Sequence, residues 1–517
     1  MSTYLSTVKD FLRSRKRIIC IIAPVLFGVL FMVLCIMQLR QSIWFDEAYS
    51  AYLTRFEYPK VWDLTAADVH PPLYYFVLKT WAHFFGHTDF AMRMLSVVCG
   101  AVAILFAYLW LKYKYGAKAA IISSFLLSIS PVFVRYGQEM RMYTMVLAIV
   151  FAATYVLQLA IDSNKKRWWV IYAILIAMGM WTHYFSAFAW IVHVIYLARI
   201  YKKKIFQKHI ILTYVGAVLL FLPWVPSLLS QTKSVESGFW IGDVTAKTLM
   251  DYWSETLVYR ASGSVLGWTL PLLLATSVII IALSIKYRSK LKLILMMAFV
   301  PVLALVLLSM PPLKPMFIPR YLLYAIVSVS ILSGIALAIY SRDLSKRASE
   351  KSIRRRFIAT ILIFITLTGT SICGLSSMYS LGNYNFDSNT KSVSRDLFDT
   401  IVALDGGNNY PIICESEWLY YDMSFYSSLK HPVYFMNEKM EYNMGSLYPL
   451  RDSAVGRIDN LDAFISKHDT FWYITTANKK GQPKTKFPRK SVNIVEYSTS
   501  KFNDYSDVYA IVKMNKE

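Results

Sequence analysis

Long apolar runs separated by short polar stretches fill roughly the first three-quarters of the chain, and a mixed polar and apolar pattern follows to its end. The runs are Ile18 to Leu39, Ala91 to Leu111, Ala119 to Val134, Met142 to Ile161, Trp168 to Trp181, Phe185 to Ile200, Ile210 to Leu229, Leu266 to Ile285, Leu291 to Met310, Tyr321 to Tyr340 and Phe357 to Ser377. Counting one span per run predicts about eleven membrane spans, most of the runs being long enough as helices to approach or exceed the ~30 Å of a hydrocarbon core. Pro71 to Gly86 is apolar too, but makes only ~24 Å of helix and is interrupted by Lys79 and His83; it is predicted to lie beside the membrane. As a span it would invert every later loop, moving the basic Lys112 to Lys118 cluster outside and Arg141 inside.

After about Tyr379 the pattern becomes that of a water-soluble fold. A helical pattern between Val393 and Leu404 precedes strand-like runs at Pro411 to Cys414, Val433 to Met436, Thr470 to Thr475, Val492 to Tyr497 and Val508 to Val512. The expected division is a membrane domain over 1–379, with a first outer loop at 40–90, and a small α/β domain over 380–517. The latter has no glycine-rich phosphate loop, metal-ligand spacing or repeat, which points to covering the membrane face or selecting at it.

Composition supports the membrane reading, since hydrophobic residues make up 56% of 517 residues. A formal net charge of +23 would suggest nucleic acid in a soluble protein. Its placement excludes that reading: about half of the Lys and Arg residues fall in short clusters between apolar runs, at Lys9 to Arg17, Lys112 to Lys118, Lys165 to Arg167, Arg199 to Lys208, Lys286 to Lys292 and Arg342 to Arg356. Taking these as cytoplasmic orients every span without contradiction. The N-terminus is then cytoplasmic and the C-terminal domain extracytoplasmic, in a multi-pass plasma-membrane protein. Four of the five cysteines lie in apolar runs and Cys414 stands alone, so no disulfide framework is indicated. The N-terminal run lacks a small-residue cleavage site and reads as a retained span.

Polar residues then concentrate on the outer face. Asp46 and Glu47 follow the first span, His70-Pro71-Pro72-Leu73-Tyr74-Tyr75 closes the first outer loop, Arg135 to Arg141 with Glu139 forms another loop, and Arg320 ends the proline-rich Pro311 to Pro319 segment. Each has a plain structural reading. Asp46 and Glu47 suit the start of a helix, His70 another, Arg141 and Arg320 can snorkel to headgroups, and Glu139 can pair with a neighbouring arginine. Their shared face calls for more. Carboxylates beside guanidiniums at a bilayer surface suit a reaction in which a base takes a proton from an acceptor hydroxyl while cations hold a departing phosphate. Arginine presents paired donors to phosphate and stays charged.

The ordered segments Asp46-Glu47-Ala48-Tyr49-Ser50, His70 to Tyr75, Arg135-Tyr136-Gly137-Gln138-Glu139-Met140-Arg141-Met142-Tyr143, Thr182-His183-Tyr184-Phe185 and Pro319-Arg320-Tyr321-Leu322 resemble those of GT-C glycosyltransferases of the family 39 type, related to protein O-mannosyltransferases and lipid A aminoarabinose transferases. The resemblance spans roughly residues 40 to 325. It implies a GT-C fold and transfer of a sugar, with inversion, from a polyprenyl-phosphate donor to an extracytoplasmic acceptor. Asp46 is then the base or acceptor-orienting acid, Glu47 its neighbour and Glu139 the second acidic position. His70, Arg141 and Arg320 face the donor phosphate, and Arg135, His183 and Tyr74 complete the candidate set. No cofactor is required; a divalent metal on Asp46, Glu139 and His183 is allowed, although nothing in their spacing demands one. The β-trefoil insertion usual in protein O-mannosyltransferases is missing, so a cell-envelope glycan or glycolipid acceptor stands beside a protein one.

Two other classes compete. A transporter or flippase of lipid-linked sugars would place ionisable groups near the midplane and show two matched halves, whereas here they gather at span ends and no halves are evident. A non-catalytic envelope scaffold would tolerate loss of Asp46 and Arg141.

Overall fold

The computed structural model describes residues 2–237, 241–259, 266–343, 349–380, 394–427, 431–436, 445–451, 456–477, 487, 492–500 and 508–516. The chain divides into two compact units. One consists of Met1–Gln38, Arg93–Pro226 and Val235–Ser380, the other of Leu39–Met92, Ser227–Ser234 and Leu381–Glu517. The segment Leu39–Met92 thus belongs to one compact unit with the C-terminal domain.

The first unit is a helical bundle built for lipid. Among the described residues eight helices have the length and apolarity to cross a bilayer, nine if the bent pair Ala117–Ser128 and Pro131–Gly137 counts as one. Of the other predicted spans, Trp168 to Trp181 corresponds to the helix Lys166–Thr182 and Leu291 to Met310 to Lys292–Leu307, both shorter than a full crossing. Pro71 to Gly86 becomes the 13-residue helix Leu73–Phe85.

Hydrophobic side chains cover the outside of the bundle as well as its inside. Val25, Val218, Val278 and Ile365 are among the exposed apolar residues, as expected where the solvent is hydrocarbon. By contrast, 89% of the apolar stretch within the span Pro319–Arg342 is buried, which makes it the central element. Gly334 permits this. A Cβ there would stand 2.5 Å from the Ser123 Cα, and the Ser123 hydroxyl donates to the Ile331 carbonyl at 3.1 Å. Small residues let the two backbones approach where no hydrophobic effect drives helices together.

The second unit contains a six-stranded sheet: β1 (Ile412–Cys414), β2 (Val433–Met436), β3 (Arg457–Ile458), β4 (Thr470–Ala477), β5 (Val492–Ser500) and β6 (Val508–Lys516), in the order β3-β2-β1-β4-β6-β5. β1 pairs in parallel with β2 and β4, and β2 with β3, while β6 runs antiparallel to β4 and β5. The five predicted strands and the helix Ser394–Asp405 are all present; β3, only two residues long, carried no periodic signal. Parallel strands need crossovers, and Glu417–Tyr426 bridges β1 to β2. Ile413, Phe471, Tyr473, Val512 and Met514 form the sheet's core with Leu461 and Phe464.

Candidate functional site

In the bundle unit the site begins at Ser130-Pro131. Proline has no amide hydrogen and disfavours helical backbone at the residue before it, so the chain breaks there and Pro131–Gly137 sets off at 62° to Ala117–Ser128. Pro131 through Val150 is buried without interruption, which carries Arg135, Glu139 and Arg141 out of solvent. Arg135 is paired on two sides. Its Nη1 lies 3.0 Å from a Glu139 carboxylate oxygen, and its Nε donates to the Tyr259 hydroxyl at 2.9 Å. The guanidinium also lies over the Tyr136 ring, 4.5 Å from the centroid.

The residues between these charges anchor the corner. A Cβ on Gly137 would fall 2.6 Å from the Phe31 ring and 2.7 Å from the Cys35 sulfur, so only glycine fits against the first helix. The Gln138 amide donates to the Leu34 and Cys35 carbonyls, at 3.4 and 3.2 Å, supplying partners to acceptors that a helix C-terminus leaves unsatisfied. The Arg141 amide turns back to the Glu139 carbonyl at 2.8 Å, and the Arg141 carbonyl accepts from Ser96 at 3.2 Å. Arg93, one turn before Ser96 on the same helix, is completely buried. Sequence reasoning passed over it because an arginine at the head of a span ordinarily snorkels.

A line of aromatic rings joins this corner to two distant motifs. Tyr136 packs edge-on to Tyr143 at 5.3 Å, Tyr143 lies 6.3 Å from the His183 ring, and His183 lies 5.1 Å from Tyr321, whose neighbour Arg320 places its guanidinium 5.9 Å from the same ring. Phe185 stacks on Tyr321 at 5.0 Å, and its carbonyl accepts from Tyr324 at 2.9 Å. His183 Nδ1 accepts the Phe185 amide hydrogen at 3.3 Å, so in the neutral ring the proton resides on Nε2. The loop before Arg320, which four prolines bar from helix, is fixed by the Met316 amide donating to Ser309 at 3.2 Å and by Phe317 against Tyr252 at 5.8 Å. Arg135, Glu139, His183 and Arg320 thus belong to one assembly, and Arg141 is buried in the same motif as the first two. Tyr136 and Tyr143, from the same motif as Arg135, join it, as does Tyr259, whose sequence signal was only the aromatic composition of its loop.

The second unit holds Asp46, Glu47, His70 and Tyr74. Trp44 is extended and the helix Phe45–Leu53 follows, with both acids in its first turn, where the helix dipole favours negative charge. The structure separates the pair. Asp46 is half-buried, and its carbonyl accepts from Ser50 at 2.7 Å, while Glu47 is completely buried. His70 Nδ1 lies 3.6 Å from a carboxylate oxygen of the buried Asp68, which holds the ring in place. Tyr74 is fully buried and packs against Tyr75, which in turn meets Tyr49 of the acidic helix. Among the described residues no three His, Cys, Asp or Glu side chains are grouped closely enough to hold a metal ion.

Comparison with known proteins places this architecture. Residues 69–226 match the family described as dolichyl-phosphate-mannose-protein mannosyltransferase. The fold is similar to that of ArnT from Cupriavidus metallidurans in the apo state, with a TM-score of 0.57 at 15% identity over 94% of this chain and 97% of that one. The same enzyme bound to undecaprenyl phosphate gives a TM-score of 0.54 at 15% identity, with the same coverage. The oligosaccharyltransferase of Archaeoglobus fulgidus in its apo form gives 0.51 at 12% identity, over 78% of this chain and 63% of that one. No curated protein sequence matches significantly. The chain is a polytopic membrane protein with the fold of the GT-C glycosyltransferases.

Proposed function

We propose that the protein is an inverting glycosyltransferase that takes a sugar from a polyprenyl-phosphate donor and places it on a hydroxyl of an extracytoplasmic acceptor. The observation that carries this reading is the assembly of Arg135, Glu139, His183 and Arg320 from three distant motifs along one line of aromatic rings, with Arg141 buried in the first of those motifs. Guanidiniums gathered in a lipid-soluble bundle suit a phosphate attached to a lipid, and a relative of the same fold has been seen with undecaprenyl phosphate.

In this mechanism Asp46 takes the proton from the acceptor hydroxyl, and the oxygen attacks the anomeric carbon. The bond from that carbon to the phosphate oxygen breaks on the opposite face, inverting the centre and releasing polyprenyl phosphate. Arg141, Arg320 and the Nε2 proton of His183 neutralise the phosphate as its charge grows, with His70 as a further donor. Glu139 holds Arg135 and orients the corner on which Arg141 sits. The helical bundle lies in the plasma membrane with the N-terminus cytoplasmic, and the C-terminal domain over 380–517 lies outside.

The decisive experiment offers a panel of purified polyprenyl-phosphate sugars to membranes lacking endogenous activity, with the wild-type protein or Asp46→Asn. Transfer from one donor by the wild type alone supports the reading and names the sugar. Donor crossing the bilayer without transfer, unaffected by Asp46→Asn, would make the protein a flippase. A cysteine at Ser230, labelled by an impermeant thiol reagent only from the cytoplasm, would overturn the orientation.

A further inference from the structure

The acidic helix is seated on the C-terminal domain. Within the second unit, Phe45 meets Trp418 at 4.0 Å and Tyr421 at 5.7 Å, while Tyr49 and Tyr52 meet Tyr421 edge-on at 5.8 and 4.9 Å. Hydrogen bonds close both ends of this contact. The Ile43 amide donates to the Tyr426 hydroxyl at 2.8 Å, and Arg55 donates to the Ser424 carbonyl at 2.6 Å. Glu417–Tyr426 therefore grips Phe45–Leu53 through aromatic rings at its centre and hydrogen bonds at its flanks.

This seat contains a second carboxyl group. Asp422 is buried and accepts a 2.5 Å hydrogen bond from Ser394 on one oxygen, and Glu47 is buried on the facing helix. Burial raises the Asp422 carboxyl, the Ser394 hydrogen bond pulls it part of the way back and the Glu47 charge adds a smaller upward push, which together leave it at about 8. Among the other charged groups nearby, Arg55 is bound to Ser424, Arg395 is paired with Asp89, the buried Asp68 lies beside His70, Glu417 is half-buried in the first turn of the same helix as Asp422, and Asp396 and Asp399 face solvent. Burial holds the Cys414 thiol of β1 well above its ordinary range, hence neutral, and β2 contributes the phenol of Tyr434. Asp46, half-buried at the first turn, is the remaining acid on the facing helix.

We propose that Asp422 is a positioning residue for the acidic pair: as a neutral acid it lets the buried Glu47 sit against the C-terminal domain, which keeps Asp46 at the accessible end of its helix. Ionised, Asp422 faces Glu47 as a like charge in a site with little water, and the seat loosens. The C-terminal domain is then a strut for the acidic helix rather than a cover. This inference rests on Asp46 as the base, and it gives transfer an alkaline limit set by a residue that touches neither substrate.

The test uses the full-length protein in detergent and compares wild type, Asp422→Asn and Ser394→Ala from about pH 6 to about pH 9. Transfer by the wild type should fall along an alkaline limb near pH 8. Asp422→Asn, the neutral isostere, should keep the rate and donor KM near pH 7 and lose that limb. Ser394→Ala, lacking the bond that favours the charged form, should move the limb upward by about one pH unit. A limb unchanged in Asp422→Asn overturns the proposal, as does an Asn variant that melts normally but transfers nothing. Thermal melting gives a readout independent of activity: the wild-type melting temperature should fall over this range more than that of Asp422→Asn, and parallel curves overturn the proposal. If Asp422→Asn does not fold, an unmoved limb and melting profile in Ser394→Ala do the same. If no donor is transferred by any form, the transferase reading fails and the melting curves alone decide the seat.

Discussion

Removing Glu139 should cost the protein more than any other single side chain of the bundle corner, because it strands a buried cation. Arg135 is 3% exposed and Glu139 not at all, and they meet at 3.0 Å. Breaking a buried pair from one side typically costs ~3–5 kcal/mol, since the remaining charge keeps its desolvation penalty and loses its partner. Tyr259 stays bonded to the Arg135 Nε, worth about 1 kcal/mol, so Glu139→Leu should fall near the lower figure. Replacing both residues with apolar ones of similar volume, Arg135→Met with Glu139→Leu, removes the stranded charge and should recover all but about 1 kcal/mol. The assay is a double-mutant cycle on the purified protein, read as the SDS concentration that half-unfolds the helices. With ~3 kcal/mol lost in Glu139→Leu, ~3–5 kcal/mol in Arg135→Met and about 1 kcal/mol in the double variant, a coupling of ~5–7 kcal/mol is expected, and strictly additive effects would refute the pairing. The same four proteins separate structure from chemistry. A double variant that folds like the wild type yet transfers no sugar shows that the corner acts on the donor as well as on the fold.

Asp46→Asn, with almost unchanged shape, should lower transfer by about 10²–10⁴-fold with donor binding and melting near normal; a proportional loss of folded protein would assign it a purely structural role. Arg320→Lys replaces a planar fork with a point charge and should lower kcat/KM for the donor by about tenfold, so full activity would remove the clamp. Gly334→Ala drives a methyl into the Ser123 backbone and should cost ~1–3 kcal/mol in the same SDS titration, with no effect if the helices separate freely.

Much of this molecule is written locally. The spans follow from runs of apolar residues, because in hydrocarbon a backbone must satisfy its own hydrogen bonds and a long apolar stretch has only the helix available. The tail strands likewise declare themselves in short runs rich in β-branched and aromatic residues. Val433 to Met436, where burial alternates along the strand, and Val508 to Val512, which pairs with β4, are examples. The break at Ser130-Pro131 and the irregular Pro311 to Pro319 loop are also local, since proline restricts its own backbone and that of the residue before it.

Partnership is different, because it depends on which elements pack together. The motif Arg135 to Tyr143 advertised its charges, but its bond to Tyr259 joins residues more than a hundred positions apart, and no pattern in either segment specifies the other. Asp46 and Glu47 look equivalent as adjacent acids. A helix turns by about 100° per residue, so packing one face against Glu417–Tyr426 buries Glu47 and leaves Asp46 half-open. Asp422 looks like an ordinary acid in an ordinary helix, and its elevated affinity for a proton arises only from burial and from Glu47. Neighbours along the chain are enough to set where helices and strands form and which residues bring charge. Which charges meet, and which of two adjacent carboxylates is buried, is set by folding, because desolvation and pairing are properties of surroundings assembled from distant segments.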